Sequence, residues 1–353
     1  RPDFLLDSRQ LARHIDYDID PLAGTIRFRE PILSRNVDLN PIFIVVDYET
    51  FGSNRRPVAG GRVAAKIGPA EIGASLIHDE TLGQATVAGL DVRAKISATT
   101  EVRAEAAHGG RNGLNSGEAW LAEIEHHGPR ADVLTYVREQ ARDFGLGQQN
   151  LGEAGMRKIG TDGRVKLSDR WYLAGSLWHQ QDLDDDIRRV AGDIKIESRR
   201  AAGTLYAGAR FASDRGTSGA GRDSRLLTLG GTQNLLDNRL ELSAEAQLPI
   251  GGKDDSIDFP ARQRIGAAWR FAPWLRLIGG FEIAEGAAFS AQSTRIGFDV
   301  APWRGGRALA TVNRAAAGEN GTRTYAQYGL RTSLPTSKRW TIDVTVDSSS
   351  TLS

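Results

Sequence analysis

The clearest signal in the chain is strict alternation of apolar and polar residues. Along Leu240–Leu248 one set is Leu, Leu, Ala, Ala, Leu and the other is Glu241, Ser243, Glu245 and Gln247. A period of two sends successive side chains to opposite faces of an extended strand, one greasy and one wet, and does not suit a helix. Four further stretches repeat it. Ile265, Ala267, Trp269 and Phe271 oppose Arg264, Gly266, Ala268 and Arg270, and Leu277, Phe281 and Ile283 oppose Arg276 and Glu282. Ile296, Phe298 and Val300 oppose Arg295, Gly297 and Asp299, while Trp340, Ile342, Val344 and Val346 oppose Thr341, Asp343, Thr345 and Asp347. Short polar or Gly/Pro turns centre near residues 68, 98, 128, 169, 200, 237, 273, 304 and 337. Between them fall longer connections near 109–117, 139–154, 182–187, 213–223, 251–256, 284–289 and 316–323. The repeating unit is therefore a hairpin of two strands of roughly ten residues, with tight turns at one end and longer loops at the other, as in barrels with periplasmic turns and extracellular loops.

Residues 1–58 read differently. Strands are expected at Ile15–Ile19, Thr25–Phe28 and Ile42–Tyr48, with Asp20-Pro21-Leu22-Ala23-Gly24 as the first turn and a boundary at Asn54–Pro57 followed by Gly60-Gly61. The prediction is an all-β chain: a small β-rich module over 1–58, then an antiparallel up-and-down transmembrane β-barrel over 59–353, of about 16–20 strands. The visible strands number 17 to 19, depending on whether Gly68-Pro69 is a turn or a bulge and whether Ile42–Tyr48 joins the barrel.

Composition narrows the setting. Apolar residues make up 40% of the 353 and mean hydropathy is −0.36. No run approaches the ~18 apolar residues of a membrane-spanning helix. Lys plus Arg (45) nearly cancels Asp plus Glu (44), so no net field draws in nucleic acid. With 40 Gly, one Met and no Cys, disulfides and cysteine metal sites are excluded. A soluble sandwich also alternates, but its core would be poorly filled by an apolar face so rich in Ala and Gly. Trp171, Trp274, Trp303 and Trp340 all sit in or beside short turns, the placement of a membrane-interface aromatic girdle, although ordinary strand-end anchors would sit there too. With short turns periplasmic, the strand after the last of them runs outward and no aromatic residue ends the chain, so a closing strand is expected beyond Ser353. Arg1 opens without an apolar leader, as in a fragment or a processed chain.

The stretch Tyr17-Asp18-Ile19-Asp20-Pro21-Leu22-Ala23-Gly24-Thr25-Ile26-Arg27-Phe28, with Pro31 and Ile44-Val45-Val46-Asp47-Tyr48-Glu49, resembles a short module found just before the barrel in large bacterial cell-surface and outer-membrane proteins. Relatives of the giant translocon barrel of gliding bacteria are among these. The resemblance covers residues 14–50 and implies an envelope role within a longer parent chain, without supplying a substrate.

Candidate chemistry is sparse. Glu125, His126 and His127 form the only His cluster, but neighbouring strand residues point to opposite faces, so no metal site is expected. Asp182, Asp184, Asp185 and Asp186, and Asp254, Asp255 and Asp258, could gather calcium, yet EF-hand spacing is missing and solvated loops are expected. No G-x-S-x-G, HExxH or P-loop is present, so neither catalytic residues nor a cofactor is expected. The charges expected to face a lumen are Arg210, Glu241, Glu245, Arg264, Arg270, Arg276, Glu282, Arg295 and Asp299. They would either steer small solutes or form an internal ladder of salt bridges. The leading reading is a non-enzymatic barrel of the Gram-negative outer membrane acting as channel, translocon pore or anchor. Its partners would be outer-membrane lipid, the barrel assembly machinery, and small solutes or a secreted chain, with no nucleic acid. A soluble or surface-attached β-rich module, binding glycans, is the alternative, and a barrel hydrolase with Ser, His and acid at one rim the third.

Overall fold

The computed structural model describes residues 11, 17–20, 25–28, 42–46, 57–80, 84–111, 115–145, 154–185, 187–216, 221–251, 260–286, 289–303, 305–316, 322–335 and 340–352. Every regular element among them is a strand. A two-stranded sheet pairs β1 (Tyr17–Asp20) with β2 (Thr25–Phe28), Tyr17 opposite Phe28 with ring centroids 6.2 Å apart. Then come β3 (Val58–Ile67), β4 (Ala70–Asp79), β5 (Ala85–Lys95), β6 (Thr100–Arg111), β7 (Ser116–His127), β8 (Ala131–Gln140), β9 (Met156–Lys166), β10 (Trp171–Asp182) and β11 (Arg188–Arg200). The rest are β12 (Gly203–Arg215), β13 (Arg222–Leu235), β14 (Leu240–Pro249), β15 (Ala261–Ala272), β16 (Leu275–Gly286), β17 (Phe289–Val300), β18 (Gly306–Ala316), β19 (Thr322–Pro335) and β20 (Thr341–Thr351). β3 to β20 form an antiparallel up-and-down sheet, eighteen strands among the described residues, each paired with its neighbours in sequence. The chain divides into two compact units, residues 32–196 with 210–223, and residues 1–31, 197–209 and 224–353.

In the first unit β3 to β10 pair in succession, and in the second β13 to β20 do so. Register keeps the two faces apart. Leu240, Leu242 and Ala244 lie opposite Trp269, Ala267 and Ile265, and Glu245 lies opposite Arg264. The shift between Arg270 and Ala272 is the one irregularity of β15 against β16. Among the described residues the apolar face meets no second layer: Phe271, Phe281 and Ile342 are exposed, and Leu226 is the largest fully buried side chain. A sandwich core built on those residues is thereby excluded.

The expected short turns fall between consecutive strands, with Gly68-Pro69 joining β3 to β4 as a turn; the connection at residues 80–84 went unread in the sequence. The turn near 337 joins β19 to β20, its residues 336–339 lying outside the described set. The strand expected at Ile42–Tyr48 is not found over Ile42–Val46, which are exposed and pair with no strand among the described residues; Asp47 and Tyr48 lie outside them. An unbroken apolar run without period-two alternation specifies no register, and no strand among the described residues pairs with it. The turn at Asp20–Gly24 and the boundary at Asn54–Pro57 fall largely outside the described residues.

The β13–β14 turn carries three residues at positive φ, Leu236 (53°), Asp237 (54°) and Asn238 (64°). Asp and Asn tolerate that region, whereas a Leu there costs about 1–2 kcal/mol. Leu236 is exposed, so its packing offsets little of this. Leu236→Gly should raise stability by about 1 kcal/mol, read as a higher urea midpoint of the folded protein in detergent; a midpoint that stays or falls would contradict the strained turn.

Candidate functional site

The polar face of the sheet is where charge is concentrated. In the unit holding β13 to β20, cross-strand pairing sets Arg264 between Glu245 and Glu282, Arg276 opposite Asp299 and Arg295 opposite Asn313. Arg264 reaches Glu245 at 3.2 Å, Arg276 reaches Glu241 at 2.9 Å, and Arg262 pairs with Glu282. Arg307 grips Asp299 in a bidentate fork of 2.9 and 2.7 Å. Arg295 donates to Asn313 at 2.9 Å, and Asn313 donates onward to Thr311 at 3.0 Å and Gln327 at 3.1 Å. Glu245 also accepts from the Tyr206 hydroxyl and, at 3.0 Å, from Gln247. Tyr206 gets there by lying across a glycine: a Cβ on Gly230 would sit 2.5 Å from its hydroxyl. The eight charges named from the sequence on β14 to β17 lie on one side by register, Arg270 standing opposite Arg276, while Arg210 lies on β12 with the parity of Tyr206.

The unit holding β3 to β10 carries a second network. Arg62 clasps Asp91 through Nε and Nη2, both at 2.9 Å, and touches Glu71 at 3.0 Å, while Gly73 leaves the room that a Cβ would take from this pair. Arg93 meets Glu101 at 3.0 Å, and Arg103 lies 2.9 Å from Glu105 and 3.5 Å from Glu123. His127 bridges Glu125 at 3.0 Å and Asp132 at 2.5 Å, whereas His126 turns to the other face and bonds Thr100 at 3.0 Å. Tyr136 lies over Gly160, where a Cβ would come within 2.6 Å of its hydroxyl. Beside it, Lys158 stands 4.5 Å above the Trp178 ring and Arg164 the same distance above Tyr172. Apart from Glu125, His126 and His127, none of these residues was singled out in the sequence. Their signal was parity, diluted on β4 to β8 because Ile77, Val87, Leu121 and Leu134 share the polar side.

Most of these pairs are partly solvated and contribute about 0–1 kcal/mol each. Arg262 is different, with a side chain 3% exposed against 14% for Glu282.

At the longer connections Asp182 accepts the N–H groups of Asp184 (2.9 Å) and Asp185 (3.0 Å), and Arg142 lies 3.5 Å from Asp182 and 2.5 Å from Asp184. The cation beside these carboxylates is thus a guanidinium. No group of three metal-binding side chains occurs among the described residues; Asp186, Asp254, Asp255 and Asp258 lie outside them. At the same end His78 links Thr86 at 2.8 Å and Glu80 at 3.4 Å. That hydroxyl–imidazole–carboxylate series belongs to a threonine and has a long carboxylate contact, so it lacks the tight base-to-acid bond that acyl transfer uses. At the short-turn end, Lys166 bonds Asp169 at 2.7 Å and holds that carboxyl below the usual range.

Trp171, Trp274, Trp303 and Trp340 sit at short-turn ends with exposures of 40, 54, 48 and 74%. The Arg170 guanidinium lies 5.9 Å over the Trp171 ring, and the Trp303 indole donates to Thr332 at 3.0 Å.

No protein family and no curated protein matches the chain. One solved structure, described as "Asymmetric conductivity of engineered proteins", is similar over 82% of this chain and 100% of its own, at 11% identity and a TM-score of 0.38, a likeness too loose to carry any argument.

Breaking the buried pair tests how the polar face contributes to stability. Arg262→Leu, which strands Glu282, should cost about 3–5 kcal/mol, and Arg262→Leu with Glu282→Leu should recover most of it. Removal of the half-exposed Arg307 should cost under about 1 kcal/mol. Urea midpoints in detergent decide it; equal losses for Arg262→Leu and Arg307→Gln would refute the ranking.

Proposed function

We propose that the sheet closes, β20 against β3, into a transmembrane barrel of a Gram-negative outer membrane, its polar face lining a water-filled lumen and its apolar face meeting lipid. The observation that carries this reading is the exposure of large aliphatic side chains along one face in both units. Val63 is 74% exposed, Leu90 64%, Ile265 60% and Ile296 59%. An apolar surface of that extent marks a membrane or a partner, and would be unstable in water. Strands of 10–14 residues are long enough to cross a bilayer. Ten residues span roughly 34 Å, which at a tilt near 45° traverses the ~25 Å apolar band of an outer membrane. A sheet of this many strands, once closed, encloses an aqueous channel unless it is plugged. The protein then acts as a channel or translocon pore, or as the membrane anchor of a larger surface protein, with outer-membrane lipid and the assembly machinery as its partners. The half-solvated ion pairs of the polar face suit a wet lumen through which small solutes or a secreted chain pass. A soluble glycan-binding module would have to leave the same aliphatic face in water.

Folding into detergent or vesicles should give the heat-modifiable electrophoretic mobility of a closed barrel, and planar bilayers should show discrete, long-lived conductance steps. A protein that remains monodisperse in plain buffer without detergent would overturn the membrane reading, and a folded barrel that passes no current would reduce the function to anchoring.

A further inference from the structure

The connections at the two ends of the hairpins carry opposite charge. The nine short ones hold six basic residues, Arg130, Arg170, Arg239, Arg304, Lys338 and Arg339, against two acids, Asp169 and Asp237. The eight longer ones hold ten acids, six of them within residues 183–187 and 250–260, against Arg142 and Lys253. Each unit shows the contrast by itself. Short turns of the first carry Arg130 and Arg170 against Asp169, and its longer loops six acids against Arg142; in the second the short turns have four bases to one acid and the loops four acids to Lys253. Asp169 is moreover matched by Lys166 at 2.7 Å, which leaves the short-turn end still more basic in effect.

Four exposed Trp residues, Trp171, Trp274, Trp303 and Trp340, belong to that same basic end, and a fifth, Trp120, lies on β7 toward the other. Trp171 follows Arg170 and lies under its guanidinium at 5.9 Å. An indole at the headgroup level beside a guanidinium is a combination suited to a phosphate-bearing lipid: the ring occupies the interface, and the cation pairs with the phosphate. From this we infer that the short turns, through Arg130, Arg170 and Arg239 and, beside Arg170, the exposed Trp171 ring, select anionic phospholipid for the leaflet in which they sit. The acidic loop end repels the same headgroups. Charge complementarity and its confinement to one end argue for this occupant. The inference rests on the transmembrane reading above and deepens it by naming the lipid.

Each basic residue at an anionic surface favours association by roughly fivefold, so replacing three predicts a loss on the order of 100-fold in selectivity at most. The full chain is reconstituted in phosphatidylcholine vesicles in which one fifth of the lipid is either brominated phosphatidylglycerol or brominated phosphatidylcholine, and tryptophan quenching is read. At low salt the brominated phosphatidylglycerol should quench at least twice as strongly. The excess should vanish in about 1 M salt, where screening acts within ~3 Å, and in the variant R130Q/R170Q/R239Q, but persist in D184N/D185N. Equal quenching by the two lipids, or an excess that survives in the triple variant, overturns the inference while leaving the barrel standing. A chain that enters neither vesicle overturns both, and one that inserts and prefers phosphatidylglycerol yet passes no current removes the pore alone.

Discussion

Lateral pairing of the backbone is the constraint on which everything else depends. A sheet whose apolar face has no protein layer against it cannot stabilise itself by a packed core, and the apolar side chains buried among the described residues are alanines and Leu226. Each peptide group instead finds its partner in the neighbouring strand. The up-and-down order answers this directly, since every strand lies beside the strands adjacent to it in sequence and the connections between them remain short. Side chains then sort by parity alone, aliphatic to one side and ionic to the other.

Once the faces are separated, charge on the polar side becomes a matter of local pairing and not of net sign. Arg62 with Asp91, Arg264 with Glu245 and Arg307 with Asp299 each span neighbouring or near-neighbouring strands. Individually they contribute little, but together they hold long side chains against the wall. Glycines have a matching part. Gly160 and Gly230 let Tyr136 and Tyr206 lie across a strand, and the second ring reaches a carboxylate two strands away.

The C-terminal half of the sheet was legible in the sequence because its alternation is clean: Ile265, Ala267 and Trp269 against Arg264, Gly266 and Ala268 need only a period of two to be assigned. The short turns were legible for the same reason, punctuated by Gly, Pro and Asp. Farther toward the N-terminus, aliphatic residues such as Val87 and Leu134 share the polar side and blur the period, so Arg62, Asp91, Asp132 and Trp178 escaped notice. Partners were illegible throughout. That Arg276 bonds Glu241 and not the directly paired Asp299 depends on register and rotamer, which no single strand encodes. Ile42–Val46 misled because hydrophobicity without alternation says nothing about pairing.

Trp303 shows how such a sheet protects its alignment. Its indole leaves the β17–β18 connection, covers Gly306 and bonds Thr332 on β19, so that one side chain ties three successive strands at their common end. Sliding β18 by a single step would exchange the sides of Val312 and Asn313, sending an amide to the aliphatic face and a valine to the ionic one. A tether at the tip makes that slip break an anchor before any side chain has crossed over, and the sorting of every later hairpin inherits the protection.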